Sequence, residues 1–277
     1  MSAPDVPTWC PGCGDFAIWE AFKQSCAQKN WDNTNSCLVA GIGCHGHIVN
    51  FLEMSAFEGL HGRTLPLASG IKIANPNLNV FVFSGDGDGL SEGGNHFIHA
   101  ARRNHDLTVI LHDNSLYALT TGQTSPRSPH DYKTKSTPYG NPDQPLQPLQ
   151  LALTTGATFI ARAYSGDIPR LKDMIIQANQ HKGLSIIQVL QPCVTFNKLY
   201  THYFFQRNTY HLPDTYNSHD KNIAFAKLAE WGEHQIPLGV FYQEDRPTYE
   251  DQNTWITKPM YQTTTNQDIS QLLSKFA

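Results

Sequence analysis

Cys10 and Cys13 flank a Pro-Gly turn in WCPGCGDF, residues 9–16. A C-x-x-C pair of this kind serves a structural zinc, a redox dithiol or an iron–sulfur cluster, and the pair alone does not choose among them. Three glycine-rich stretches come after it: GIGCHGH at 41–47, GDGDG at 85–89 and DNSLYALTTGQ at 113–123. The first matches G-x-G-x-x-G through Gly41, Gly43 and Gly46, but it is not succeeded by the helix and acid-ended strand of a dinucleotide site. The other two make a coherent pair. A diphosphate held through Mg²⁺ needs hard oxygen ligands, of which one or two are commonly carboxylates. Asp86 supplies such a carboxylate, and Gly85 and Gly87 let backbone N–H groups approach the phosphates. A helix opening near Glu92 adds the positive end of its dipole. Asn114 adds a neutral amide oxygen. Either stretch by itself reads equally well as a tight turn, and their joint occurrence favours the diphosphate site.

These residues need strands to carry them, and the chain provides a βαβ rhythm. Near-continuous apolar runs at 36–40, 79–84, 107–112, 158–163 and 184–190 read as buried strands. Helical patterns cover 15–28, 65–74, 92–103, 146–154 and 167–181, the last with Asp167 as N-cap. The fold class is therefore α/β, a mostly parallel sheet with helices on both faces. In such sheets ligands bind beyond the carboxyl ends of the strands, where all three glycine-rich turns fall. One irregular segment, 120–145, is rich in Pro, Gly, Ser and Thr, and a loop of that length is expected to be functional. Beyond Cys193 the pattern loosens into a helix-like 222–235 and a polar tail from about 245. The organisation expected is a binding domain over 1–195 and a C-terminal extension over 196–277.

Composition removes several classes of function. With 20 Lys and Arg against 24 Asp and Glu, a net charge of −4 and no basic run, nucleic acid is not an expected partner. No apolar run reaches the roughly 18 residues of a membrane span, and MSAPDVPTWC lacks the features of a secretory signal. The chain is expected to be cytoplasmic, where its six cysteines stay reduced and point to metal or redox work. His96 and His99 lie at i,i+3 spacing without a third ligand and are read as packing or interface residues.

In chain order, WCPGCGDF, GIGCHGH, GLHGR, GIKIANP, GDGDG…GGNHFIHAARRN and DNSLYALTTGQTSP resemble the beta subunit of the 2-oxoacid:ferredoxin oxidoreductases. Those enzymes use thiamine diphosphate to oxidise 2-oxoacids to acyl-CoA. The resemblance covers residues 9 to about 195 and continues loosely in IPLGVFYQ at 236–243. It implies a thiamine-diphosphate-binding fold, with Mg²⁺ held by Asp86, Asn114 and the backbone carbonyl of Leu116. It implies cofactor contacts at Gly43, Cys44, His45, His61, Gly85, Gly87, Asp88 and the stretch Tyr117, Ala118, Leu119 and Thr120. It also implies a [4Fe–4S] cluster on Cys10, Cys13, Cys44 and Cys193, leaving Cys26 and Cys37 to core packing.

The implied partners are an alpha subunit that carries the activating glutamate, ferredoxin, coenzyme A and a 2-oxoacid. The face beside GLHGR and the loop 120–145 is expected to meet the alpha subunit, in an αβ pair that doubles by two-fold symmetry. His47 stands where some members have a lysine facing the substrate carboxylate, so it is the expected catalytic contact, with 2-oxoglutarate favoured over pyruvate. Two residues depart from the family pattern: Ala118 stands where many members have glycine, and Arg127 where threonine is common. Two other readings share part of the pattern. A non-redox thiamine-diphosphate decarboxylase or synthase has no need of four cysteines, and a zinc-stabilised scaffold would leave the glycine turns without a cofactor.

Overall fold

The computed structural model describes residues 2–263 and 270–275. Its centre is an eight-stranded sheet of order β2-β1-β3-β4-β8-β7-β10-β9. The strands are β1 (Ser36–Ala40), β2 (Ala56–Glu58), β3 (Asn79–Gly85), β4 (Leu107–Asp113), β7 (Phe159–Tyr164), β8 (Leu184–Leu190), β9 (Thr209–His211) and β10 (Ile236–Gln243). The first six of these pair in parallel. β10 joins β7 antiparallel, and β9 runs parallel to β10. Residues after 195 thus extend the same sheet. Outside it, β5 (Leu116–Tyr117) and β6 (Gln123–Thr124) form a small antiparallel ribbon.

Successive side chains on a strand point to opposite faces, so the apolar runs build two cores. On one face Leu38, Ala40, Phe81, Phe83 and Val189 pack under helices α1 (Gly14–Lys29) and α5 (Ile168–Gln180). Phe22 of α1, fully buried, meets Phe81 and Phe83 edge-on with ring centroids 5.0 and 5.1 Å away. On the other face Val39, Val80, Val82 and Val109 pack under α2 (Thr64–Ala74), α3 (Gly94–Arg103), α4 (Pro148–Thr155) and α7 (Lys221–Leu228). Cys26 and Cys37 are buried apolar side chains, as their sequence positions suggest. Short helices α6 (His202–Asn208) and α8 (Tyr249–Gln252) lie in the C-terminal region.

The five expected strands and five expected helices are all present, with ends displaced by one or two residues. Asp167 caps α5, its carboxylate accepting from the Arg170 N–H at 3.3 Å. Helix α3 starts at Gly94 rather than 92 because residues 88–92 form a π-helical turn. The helix-like 222–235 ends at Leu228, before Gly232 and His234 take φ of 134° and 55°. The segment 120–145 is not a simple surface loop: Ser125, Arg127, Ser128 and Asn141 are all buried.

At the carboxyl end of the sheet Asp88 clamps two turns together. It accepts from the Ile42 N–H at 3.2 Å, the Gly62 N–H at 2.7 Å and the Ser84 hydroxyl at 2.7 Å. Gly41 is the residue that makes room for this clamp, because a Cβ there would fall on the Asp88 carboxylate. Gly41→Ala is expected to cost about 1–3 kcal/mol of stability, the usual penalty for overpacking a closed site. Denaturant unfolding measures it, and an unchanged midpoint would mean that the Asp88 clamp yields freely.

Candidate active site

The carboxyl ends of β1, β3 and β4 deliver the glycine-rich turns to one cavity. Its lining comprises Ile42, Gly43, Cys44 and His45 from the first turn, His61, residues 85–88 from the second, and Asn114 with 116–120 from the third. Every cofactor-contact residue expected from the sequence lies in this lining. The glycines are required by close approach. A Cβ at Gly85 would sit 2.8 Å from the His45 ring, and one at Gly87 would meet the Tyr117 ring.

Each side chain around the cavity is held from behind. His45 is buried, and its Nε2 accepts the Gly85 N–H at 3.0 Å. Burial pushes its pKa down to about 4, so the ring is neutral and its remaining proton is on Nδ1. His61 Nδ1 lies 2.9 Å from Asp88 Oδ1. The Tyr117 hydroxyl donates to Glu92 at 3.0 Å, and burial pushes its pKa up to about 12.

Asp86 and Asn114 face each other at the metal position implied by the sequence. The Asn114 N–H donates to Asp86 Oδ1 at 3.4 Å, and the Ser125 hydroxyl donates to Asp86 Oδ2. Asp86 is 1% exposed, and burial together with nearby Asp113 drives its pKa well above the usual carboxylate range. A divalent cation reverses that balance by stabilising the ionised form. A buried carboxylate, an amide oxygen and two close-approach glycines beside a helical turn fit a Mg²⁺–diphosphate group.

The four cysteines named from the sequence come together next door. Cys10, Cys13, Cys44 and Cys193 line a cavity of about 200 Å³ with Trp9, Asp15, His47, Gln191 and Phe196. Cys44, Asn114, Ala118 and Leu119 are common to both cavities. The Trp9 indole N–H donates to the Cys44 carbonyl at 2.7 Å, and the Gly14 N–H to the Pro192 carbonyl at 3.2 Å. These bonds fix the N-terminal turn against the turn after β1 and the end of β8. Burial pushes the Cys44 thiol up to about 12 and the Cys13 thiol higher still, with Asp15 and Cys193 adding to both. Ionising thiols in so buried a setting requires a cationic partner. Among the described residues no three His, Cys, Asp or Glu side chains converge to hold a single metal ion. Four cysteines lining one cavity are a donor set that an iron–sulfur cluster or a zinc ion can use.

Both departures from the family pattern have a structural account. Ala118 is not among the residues with positive φ; those positions fall on Ser115, Thr121 and Gly122. Its methyl group is therefore unstrained. Arg127 is 3% exposed, donating from Nε to Asp113 at 2.8 Å and from Nη1 to the Leu146 carbonyl at 2.6 Å. Trp231 lies 5.2 Å from its guanidinium carbon.

Sequence reasoning missed Ser125, Gln191 and the buried pair Asp15–His112, whose Oδ1 and Nδ1 are 2.7 Å apart. A larger cavity, about 340 Å³, lies between α5 and β10, lined by Asp167, Arg170 and His211. It contains none of the expected site residues.

The chain matches two family models: thiamine pyrophosphate enzyme, C-terminal TPP binding domain, over residues 41–189, and the C terminal of the pyruvate ferredoxin oxidoreductase beta subunit, over 193–258. It is 43% identical to a 2-oxoacid:ferredoxin oxidoreductase subunit beta from Sulfolobus sp, over 90% of this chain and 86% of that one. It is 42% identical to the 2-oxoglutarate synthase subunit KorB of Archaeoglobus fulgidus, over 70% and 73%. A solved 2-oxoglutarate:ferredoxin oxidoreductase from Magnetococcus marinus, with 2-oxoglutarate, coenzyme A and succinyl-CoA bound, superposes with a TM-score of 0.90. That structure is 34% identical, and the superposition covers 100% of this chain and 94% of the other. With the thiamine-type turns and the cysteine ring already assembled on one sheet, the chain belongs to the 2-oxoacid:ferredoxin oxidoreductases as a beta subunit, part of an oxidoreductase that acts on 2-oxoacids with ferredoxin as acceptor.

Proposed function

We propose that this subunit holds Mg²⁺–thiamine diphosphate through Asp86, Asn114 and the Leu116 carbonyl, and a [4Fe–4S] cluster through Cys10, Cys13, Cys44 and Cys193. The observation that carries the proposal is the shared wall between the two cavities, above all Cys44, which belongs to both. When bound, thiamine diphosphate supplies an electron sink for the pair released as carbon dioxide leaves, and the cluster supplies a one-electron acceptor. The chain's own residues orient these groups. Gly85 and Gly87 admit the diphosphate, neutral His45 anchors the turn at Gly85, and Asp88 keeps the turns at 41–43 and 59–63 in register.

The substrate proposed is 2-oxoglutarate, converted with coenzyme A to succinyl-CoA. His47, the expected substrate contact, lines the cysteine cavity and not the thiamine cavity, so the assignment does not rest on it. It rests on the KorB relative and on the ligands of the Magnetococcus enzyme. The electron carrier is ferredoxin, the setting is the cytoplasm, and no helix among the described residues is long and apolar enough to cross a membrane.

The remaining half of the cofactor site belongs to an alpha subunit in an αβ pair that doubles. Exposed Ile42 and Leu119 line the cofactor cavity, and Leu60, 79% exposed, precedes His61. This apolar rim is the proposed contact, together with the outer part of loop 120–145, where Tyr139 is 97% exposed. The inner part of that loop supports the metal position of its own chain.

Cys193→Ser is expected to lose the broad visible absorption of an anaerobically reconstituted cluster while still binding thiamine diphosphate, and Cys37→Ser is expected to keep both. Full iron in Cys193→Ser would remove that ligand from the set. The assembled enzyme is expected to show a higher kcat/KM for 2-oxoglutarate than for pyruvate, and the reverse ratio would reject the substrate assignment alone. The isolated chain, loaded with iron, sulfide, Mg²⁺ and thiamine diphosphate, is expected to give no 2-oxoacid-dependent viologen reduction; robust turnover would reject the split site.

A further inference from the structure

Gln191 hydrogen-bonds to a residue of each half of the site. Its Oε1 accepts from Asn114 Nδ2 at 3.0 Å, and its Nε2 donates to Cys13 Sγ at 3.2 Å. Asn114 Oδ1 accepts the Leu116 N–H at 3.0 Å, which turns its Nδ2 toward Gln191, so the reverse orientation of Gln191 would set one N–H₂ against another. The side chain is 1% exposed and has no freedom to leave. Gly14 packs against it so closely that a Cβ there would lie 2.9 Å from the Gln191 Cγ. A further bond from Nε2 to the Pro192 carbonyl, 3.4 Å, holds the amide plane beside Cys193.

We infer that Gln191 is a positioning residue that couples cofactor occupancy to the redox state of the cluster; the inference rests on the metal and cluster ligands proposed above. The physical basis is the polarity of the chain Asn114–Gln191–Cys13. A cation on Asn114 Oδ1 withdraws electron density from that amide and makes its N–H₂ a stronger donor. The stronger bond polarises Gln191 in turn and sharpens its N–H donation to the Cys13 sulfur, because hydrogen bonds in series reinforce one another in a low-dielectric interior. Reduction puts added negative charge on the cluster sulfurs, which an N–H donor stabilises. The loaded site therefore favours the reduced cluster. Linkage requires the reciprocal effect: the reduced protein binds Mg²⁺–thiamine diphosphate more tightly than the oxidised protein, by the same factor.

The test is anaerobic titration calorimetry of Mg²⁺–thiamine diphosphate into the assembled αβ enzyme, oxidised and then dithionite-reduced, with iron content assayed in each sample. The wild type is expected to bind about fivefold more tightly when reduced, at the low end of typical coupling between sites. Gln191→Ala, which removes both bonds, is expected to keep its iron and bring the two affinities together. Gln191→Met preserves the length of the side chain but cannot donate to sulfur, and is expected to abolish the difference as well. It also covers the case in which the alanine variant does not fold. Equal affinities in an iron-replete wild type, or an undiminished difference in either variant, would overturn the coupling. A wild-type protein that takes up no iron would overturn the cluster assignment and this inference together.

Discussion

Asp86 and Asp113 end two neighbouring strands out of contact with water, and the cation beside them is the Arg127 guanidinium. Burying two carboxylates at this spacing is costly unless each is paired and hydrogen-bonded. Much of the surrounding architecture follows from meeting that requirement. Arg127 and Gln188 both donate to Asp113 Oδ2, at 2.8 and 2.5 Å, and Ser125 donates to Asp86. The segment after β6 must therefore fold inward, which explains why Ser125, Arg127 and Ser128 are buried in a stretch whose composition suggests a surface loop. The same demand draws in the C-terminal region. Trp231 lies near the guanidinium groups of both Arg127 and Arg162, and Arg162, itself bonded to Gln188, donates to the carbonyls of Leu228 and Pro237. Residues 196–243 thus support the buried Asp86–Asp113 pair as well as forming the edge of the sheet.

The geometry also explains why the thiamine cavity and the cysteine cavity adjoin. The turn after β1 gives His45 to the thiamine cavity, His47 to the cysteine cavity and Cys44 to both, so residues of one 3₁₀ turn serve the two cavities. Trp9, packed edge-on against Phe16 and Phe51, holds the Cys44 carbonyl from the N-terminal side. Displacing either cavity displaces the other.

What the sequence reveals is what is encoded locally. Gly-Asp-Gly at 85–87 and Asp-Asn at 113–114 are visible because a strand end, a close-approach glycine and a ligand side chain fall within a few residues of one another. The buried strands are visible because water is excluded from both faces of a parallel sheet. Gln191 and Cys13 are 178 positions apart, Asp15 and His112 97, and Ser125 and Asp86 39. No periodicity or spacing rule spans such intervals. Arg127 could be noticed only as a departure from a family pattern, since its partner Asp113 becomes adjacent only once the loop has folded inward. β10 carries a bulge between Val240 and Tyr242 and pairs against the direction of the sheet, so its alternation is interrupted at the point where a strand signal is needed.

The central claim is that one chain sets an iron–sulfur cluster against the thiamine site through the shared residue Cys44. Anomalous diffraction at the iron absorption edge, from crystals of the anaerobically purified αβ enzyme, tests it directly. The account predicts a single iron-containing peak enclosed by Cys10, Cys13, Cys44 and Cys193, in the cavity that adjoins the one lined by Asp86. A zinc signal at that position, or iron bound elsewhere on the subunit, would contradict it.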